Sequence, residues 1–325
     1  MDTADLRRAG LDLLEELSRY PAAPYHEQGV AAAVGRACEI AGLEARPDRY
    51  GNLLVTLPGR RPTAPGIAFV AHMDHPGFEV TAREGAFHAV RALGSLPPRA
   101  FEAGTRVWIT TRSGERLPGR VRSAPATPHG RAVLIETEAS RVGDLPCAAG
   151  LDLPDFELDG DVIRMRAADD LAGCAAVVVA LREAATTPRS GSVYGLFTRA
   201  EEVGLVGARL AAGDGLLPPE TTIVSIESSR ALPGAEIGRG PVIRTGDRAT
   251  TFDREAEAHL LAARERLAER HGGFDCQRQL MSGGLCEASA FAAFGYPVTG
   301  VAFPLGNYHN NGADGAVAAE FIDAG

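Results

Sequence analysis

The stretch Gly66–Phe78, "GIAFVAHMDHPGF", decides how the chain is read. Residues 67–71 are apolar without alternation. A strand with one face in water alternates polar and apolar residues. An unbroken apolar run of strand length is covered on both faces, as in the middle of a parallel sheet. The run stops at His72 and Asp74, two side chains able to bind metal. In open sheets of this kind, functional groups gather at the carboxyl ends of strands. One short segment therefore predicts a central strand and the edge of a site.

Working outward, the same texture recurs. Residues 4–20 carry leucines at helical spacing (Leu6, Leu11, Leu13, Leu14, Leu17), and 27–42 read as a second helix. "GNLLVTL" is another strand. After residue 162 come a helix at "GCAAVVVALREAA", a buried strand at "SVYGLFT", a short helix at "VGARLAA" and a strand at "TTIVSIE". A charged helix at 254–271, a helix at "EASAFAAFG" and a strand at "VTGVAFP" follow. Strands alternating with helices predict an α/β fold with a mostly parallel sheet. Between 85 and 162 the texture changes to short alternating runs such as "RVWITTRS" and "RAVLIETE", broken by Gly, Pro and Ser. That pattern predicts a small β-barrel. The expected organisation is a catalytic domain in two parts, 1–84 and 163–325, with a β-barrel domain inserted at 85–162.

Composition narrows the function. The chain has 325 residues and a net charge of −9, with arginine as its only strongly basic residue type. That balance argues against a nucleic-acid partner. The amphipathic first helix lacks a signal-peptide core, and no apolar run reaches membrane-spanning length, so a cytoplasmic protein is expected. The five cysteines show no CxxC spacing, which points to free thiols and away from a thiolate zinc site.

The other strand ends repeat the chemistry of the first. Asp169 and Asp170 precede a helix; Glu201 and Glu202 follow "SVYGLFT"; Glu227 ends "TTIVSIE"; His309 follows "VAFPLGNY". Carboxylates forced together raise one another's pKa, and a divalent ion relieves that cost. Two imidazoles and several carboxylates without sulfur suit zinc, or cobalt or manganese, and are too many for one tetrahedral ion. They fit two ions sharing one carboxylate.

"AHMDHPGF", "AADDLAG" and "FTRAEEVGLVGA" resemble the His-x-Asp, Asp-Asp-x-x-Gly and Glu-Glu motifs of co-catalytic dizinc peptidases. "GNL" (51–53), "GRGP" (238–241) and "SGGLCEA" (282–288) extend the resemblance to the tetrahedral-aminopeptidase family, which includes glutamyl and deblocking aminopeptidases. That family carries its β-domain between the first two ligands, where 97 residues separate His72 from Asp169. The resemblance implies the following roles. His72 and Glu227 hold one ion, Glu202 and His309 the other, and Asp169 bridges both. Asp74 orients the His72 imidazole, and Glu201 is the general base for the attacking water. Asp170 is a cap or loop residue. The family usually has Asp where this chain has Glu227. His75 is expected in a surface or loop role, and His129, in a Pro-His of the barrel, receives none. The implied activity is removal of N-terminal residues from short peptides by a homo-oligomer, dimer-based and up to a dodecamer. Two alternatives stand beside it: a metal-dependent deacylase acting on acylated amino acids or dipeptides, and a non-catalytic scaffold with a peptidase fold.

Overall fold

A computed structural model describes residues 3–61, 63–85, 87–111, 113–123, 126–127, 130–131, 133–137 and 142–325; His129 lies outside them. The catalytic frame is an eight-stranded sheet. From one edge to the other it runs Ala45–Pro47, Leu53–Leu57, Val193–Thr198, Ile67–His72, Thr222–Arg230, Val298–Leu305, Val242–Arg244 and Gln277–Gln279. The four central strands are mutually parallel, and antiparallel pairings lie toward the edges. Ile67–His72 sits between Val193–Thr198 and Thr222–Arg230.

Both faces of that strand are covered, for the reason its sequence implies. Ala68 and Val70 pack with Leu196, Ala208 and Phe291 on one side. Ala71, with the partly buried Ile67 and Phe69, packs with Leu17, Val34 and Leu171 on the other. The two helical layers come from predicted segments: Thr3–Ser18, Gln28–Ile40 and Ala168–Thr186 serve one face, Val206–Gly213 and Glu287–Ala292 the other. Helix Arg254–His271 has both of its ends written in the sequence. Asp253 caps it by accepting from the Ala256 N–H at 2.8 Å, Glu255 and Glu257 lie in its first turn, and Arg270 and His271 in its last. Gly272 then ends it in the left-handed region.

The inserted region is a closed six-stranded antiparallel barrel around Phe78, Val107, Ile109, Val121 and Ile135. Its strands run from Gly77 to Leu151. Residues Glu157–Asp159 and Val162–Met165 instead join the last strand, Glu320–Asp323, in a separate three-stranded sheet. Among the described residues, no helix is long and apolar enough to cross a membrane.

Candidate active site

The expected residues come from the central strands, the turns that follow them and the start of one helix. His72 closes its strand, in register with Thr198, and the Glu201–Glu202 turn begins just beyond Thr198. Glu227 lies inside the strand Thr222–Arg230, opposite Ala302 of the next strand. His309 sits in the short 3-10 turn after that strand, with a left-handed backbone (φ 55°). Asp169 and Asp170 open the helix Ala168–Thr186 with non-helical torsions.

Among the described residues these elements bring three groups of side chains together: His72–Asp169–Glu227 and Asp169–Glu202–His309, which share Asp169, and His72–Glu201–Glu202 between them. His72 Nε2 lies 3.3 Å from Asp169 Oδ1 and 3.5 Å from Glu227 Oε1. His309 Nε2 lies 3.6 Å from Asp169 Oδ2 and 3.2 Å from Glu202 Oε2. A tetrahedral zinc site with ligands at about 2.0–2.1 Å has ligand–ligand edges of about 3.3 Å. The spacings fit that edge. Among the described residues one of these atoms, Asp169 Oδ1, and the second carboxylate oxygens of Glu202 (Oε1) and Glu227 (Oε2) are buried without a hydrogen bond. A buried acceptor in that state is costly unless a cation meets it. Two divalent ions fit the residues present.

The electrostatics agree. Burial pushes Glu227 up to about 8 and Glu201 well above the ordinary carboxylate range. Burial works against the charged form of His72, yet Glu201, Asp169 and Glu227 hold its pKa well above the ordinary imidazole value. His309 is likewise raised to about 11, against its burial, by Glu202 and Asp169. Asp169 is held below the usual carboxylate range, despite burial, by His309 and His72. In metal-free protein the surrounding carboxylates thus favour the charged form of both imidazoles.

The Glu-Glu turn is held by side chains, one backbone amide at a time. Arg199 N–H donates to Asn52 Oδ1 at 3.0 Å and Ala200 N–H to Glu27 Oε1 at 3.0 Å. Glu201 and Glu202 N–H donate to the two oxygens of Asp74 at 2.8 and 3.1 Å. Glu27, fully buried, also accepts from Arg199 Nε at 2.9 Å. Ala200 adopts φ 52° within this clamp. Gly207 is required beside it, since a Cβ there would meet Asn52 Oδ1 at 2.3 Å. The Asp74 carboxylate stands 3.7 Å from His72 Nδ1, and the hydrogen bond of that nitrogen goes to the Asp74 backbone carbonyl at 3.0 Å. Asp170 accepts from the N–H of Gly173 at 3.2 Å and of His72 at 3.4 Å.

Sequence reasoning expected His75 in a surface or loop role; it lies in the loop after Ile67–His72, but away from the surface. His75 is buried, with Nδ1 2.6 Å from the Asp169 carbonyl and Nε2 3.1 Å from Asn310 Oδ1. The turn at Pro76–Gly77 sends the chain directly into the barrel, folding His75 back against the site. Arg244 escaped notice altogether. It is 1% exposed and lines a cleft with Glu227, Met281, Gly284 and Tyr308. Its Nη1 is 3.9 Å from Glu227 Oε2, and its Nε and Nη1 have no hydrogen-bond partner among the described residues.

A parallel-sheet frame with an inserted barrel and two metal-ligand clusters sharing one carboxylate defines a co-catalytic dizinc hydrolase. A family model for M42 glutamyl aminopeptidases matches residues 142–314, more than half of the chain, and the chain belongs to that family. It is a metal-dependent aminopeptidase of the dizinc type. A putative aminopeptidase from Acetivibrio thermocellus is 25% identical over 316 residues, covering 92% of this chain and 91% of that protein. Two solved structures share the fold. One is an aminopeptidase from Desulfurococcus kamchatkensis: TM-score 0.78, 23% identity, 98% of this chain and 91% of that one. The other is the TET1 peptidase of Pyrococcus horikoshii: TM-score 0.76, 23% identity, 97% of this chain and 94% of that one.

Proposed function

We propose that the chain hydrolyses the first peptide bond of short peptides bearing a free N-terminus, with Glu201 as general base. The observation that carries the reading is the division between adjacent glutamates. Glu202 is drawn into the cluster with His309, its side chain only 5% exposed. Glu201 stands at the rim, 4.0 Å from His72 Nε2 and 11% exposed. In this reading His72 and Glu227 would hold one ion, Glu202 and His309 the other, and Asp169 would serve both. When bound, the two ions would polarise the scissile carbonyl and lower the pKa of water. Glu201 takes a proton from the attacking water as its oxygen bonds to the carbonyl carbon. Glu201 then gives that proton to the amine as the carbon–nitrogen bond breaks. Asp74 fixes the turn that aims both glutamates.

Arg244 supports a preference for peptides whose first residue is acidic. A buried guanidinium whose Nε and Nη1 have no hydrogen-bond partner among the described residues is matched to a carboxylate entering the cleft. The glutamyl aminopeptidase description of the family agrees with that preference. We also assign the chain to a homo-oligomer built from dimers. The Pyrococcus horikoshii relative, described as able to assemble into a tetrahedron or a large octahedral shell, supports this. So do Phe87 and Leu145, apolar side chains 41% and 42% exposed on and beside the barrel. Five free cysteines support a reducing, cytoplasmic setting.

Paired variants test the mechanism. Glu201→Gln should keep two ions per chain and lose about 100- to 10,000-fold in kcat, the range for a general base. Glu202→Gln should lose an ion. Full peptidase activity in Glu201→Gln would refute the assignment.

A further inference from the structure

We propose that Glu320 is a positioning residue for the ion assigned to Glu202 and His309, fixing Asp169 and His309 in one frame by accepting a backbone N–H from each. This rests on the two-ion reading above. Glu320 begins the last strand, and its register partner is Met165 on the strand that leads into Asp169. The three-stranded sheet therefore carries a carboxylate from the end of the chain to the ligand-bearing loop. Glu320 is fully buried. Its Oε2 accepts the Asp169 N–H at 3.1 Å, and its Oε1 accepts the His309 N–H at 2.8 Å.

The surrounding contacts show why such a clamp is needed. His309 and Asn310 both adopt left-handed backbone (φ 55° and 59°), which non-glycine residues hold only when their surroundings impose it. His75 takes the other side of the same unit, with Nδ1 on the Asp169 carbonyl and Nε2 on Asn310 Oδ1. Asn310 Nδ2 in turn donates to the Arg166 carbonyl at 2.8 Å. Both polar groups of Asp169's backbone are thus held by distant side chains, and Glu320 ties it directly to the His309 backbone. His72 and Glu227 depend on none of this, because main-sheet strands place them. The ligand frame is therefore asymmetric: the clamp holds one of the three ligands assigned to the first ion, Asp169, and two of the three assigned to the other, Asp169 and His309.

Glu320→Gln keeps the shape but leaves one acceptor oxygen, so one of the two N–H groups faces an amide donor. Metal-free protein is titrated with Zn2+ in competition with a chromophoric chelator. We expect the second ion to bind about 10- to 100-fold more weakly, the range for losing a group that orients a ligand, and the first, which has only Asp169 on the clamp, to weaken less. Excess metal should restore kcat with KM for the peptide unchanged. Glu320→Asp, too short to reach both amides well, should give an intermediate loss. Metal-free thermal unfolding close to wild type would place the effect in the site. Equal weakening of both ions in the two variants, or both ions bound as in wild type, would overturn the proposal. Wild-type protein taking up fewer than two ions would instead bring down the two-ion assignment, and the role of Glu320 with it.

Discussion

Removing the metals should make the protein less stable as pH rises from 5.5 to 8. Burial lifts Glu227 from 4.5 to about 8 in the folded, metal-free chain. A folded pKa above the unfolded one means that folding favours the protonated carboxyl. The stability this contributes is complete below pH 4.5 and is lost as pH climbs to about 8. At about 1.4 kcal/mol per pKa unit, the loss across that window is about 5 kcal/mol, of which about 3 kcal/mol falls between pH 5.5 and 8. His72 and His309, both raised, act in the same direction, because the unfolded imidazoles lose their protons around pH 6.5 while the folded ones hold theirs to higher pH. Asp169, held below its usual range, has finished titrating before pH 5.5. His75, which burial lowers, opposes them as a single imidazole. With about 2.1 cal/mol/K of unfolding entropy per residue, about 3 kcal/mol corresponds to about 4–5 °C in Tm for a chain of this size. Calorimetry on chelator-dialysed protein at pH 5.5, 6.5, 7.5 and 8 reads this directly. Metal-loaded protein run in parallel should give a flatter profile, because the ions favour the ionised carboxylates. A metal-free Tm that stays level or rises across that range would refute the reasoning.

Arg244→Met should lower kcat/KM for a peptide beginning with Glu about 10- to 100-fold relative to one beginning with Leu, as expected for one charge-assisted hydrogen bond worth about 1.5–3 kcal/mol. An unchanged ratio in paired steady-state assays would remove Arg244 as the reader of the first side chain. Gly173→Ala would place a Cβ 2.3 Å from Asp170 Oδ2. It should destabilise the protein by about 1–3 kcal/mol in denaturant melts, the usual cost of forcing an extra methyl into a packed site; wild-type stability would show that this helix start has room to spare.

Four of the five residues that converge in the two clusters were legible because each lies just beyond or within an apolar strand of the parallel sheet; Asp169 was marked instead by the Asp-Asp pair ahead of a helix. The barrel was legible as a change from helical to alternating period. What the sequence concealed are groups whose role depends on non-local contact. Glu27 looks like a surface acid at a helix start, yet it accepts the Ala200 N–H and pairs with Arg199. Glu320, an acid between apolar residues near the chain end, gains its meaning only from pairing with Val162–Met165. Arg244 lies on a three-residue strand too short to carry a period. His75 resembled a loop residue because the Pro-Gly after it hides how the chain folds back. Asp74 was legible as a site residue, but its carboxylate meets the Glu201 and Glu202 amides more closely than the His72 ring. No local pattern encodes that choice.

The central claim is a two-ion site that cleaves behind a free N-terminus. Its most direct test is to titrate metal-free protein with Zn2+ while following hydrolysis of a short peptide with N-terminal Glu and of its N-acetylated twin. The account predicts that activity on the free peptide climbs until two equivalents are bound and that the acetylated twin is left intact. Saturation at one equivalent, or faster cleavage of the acetylated peptide, would contradict it.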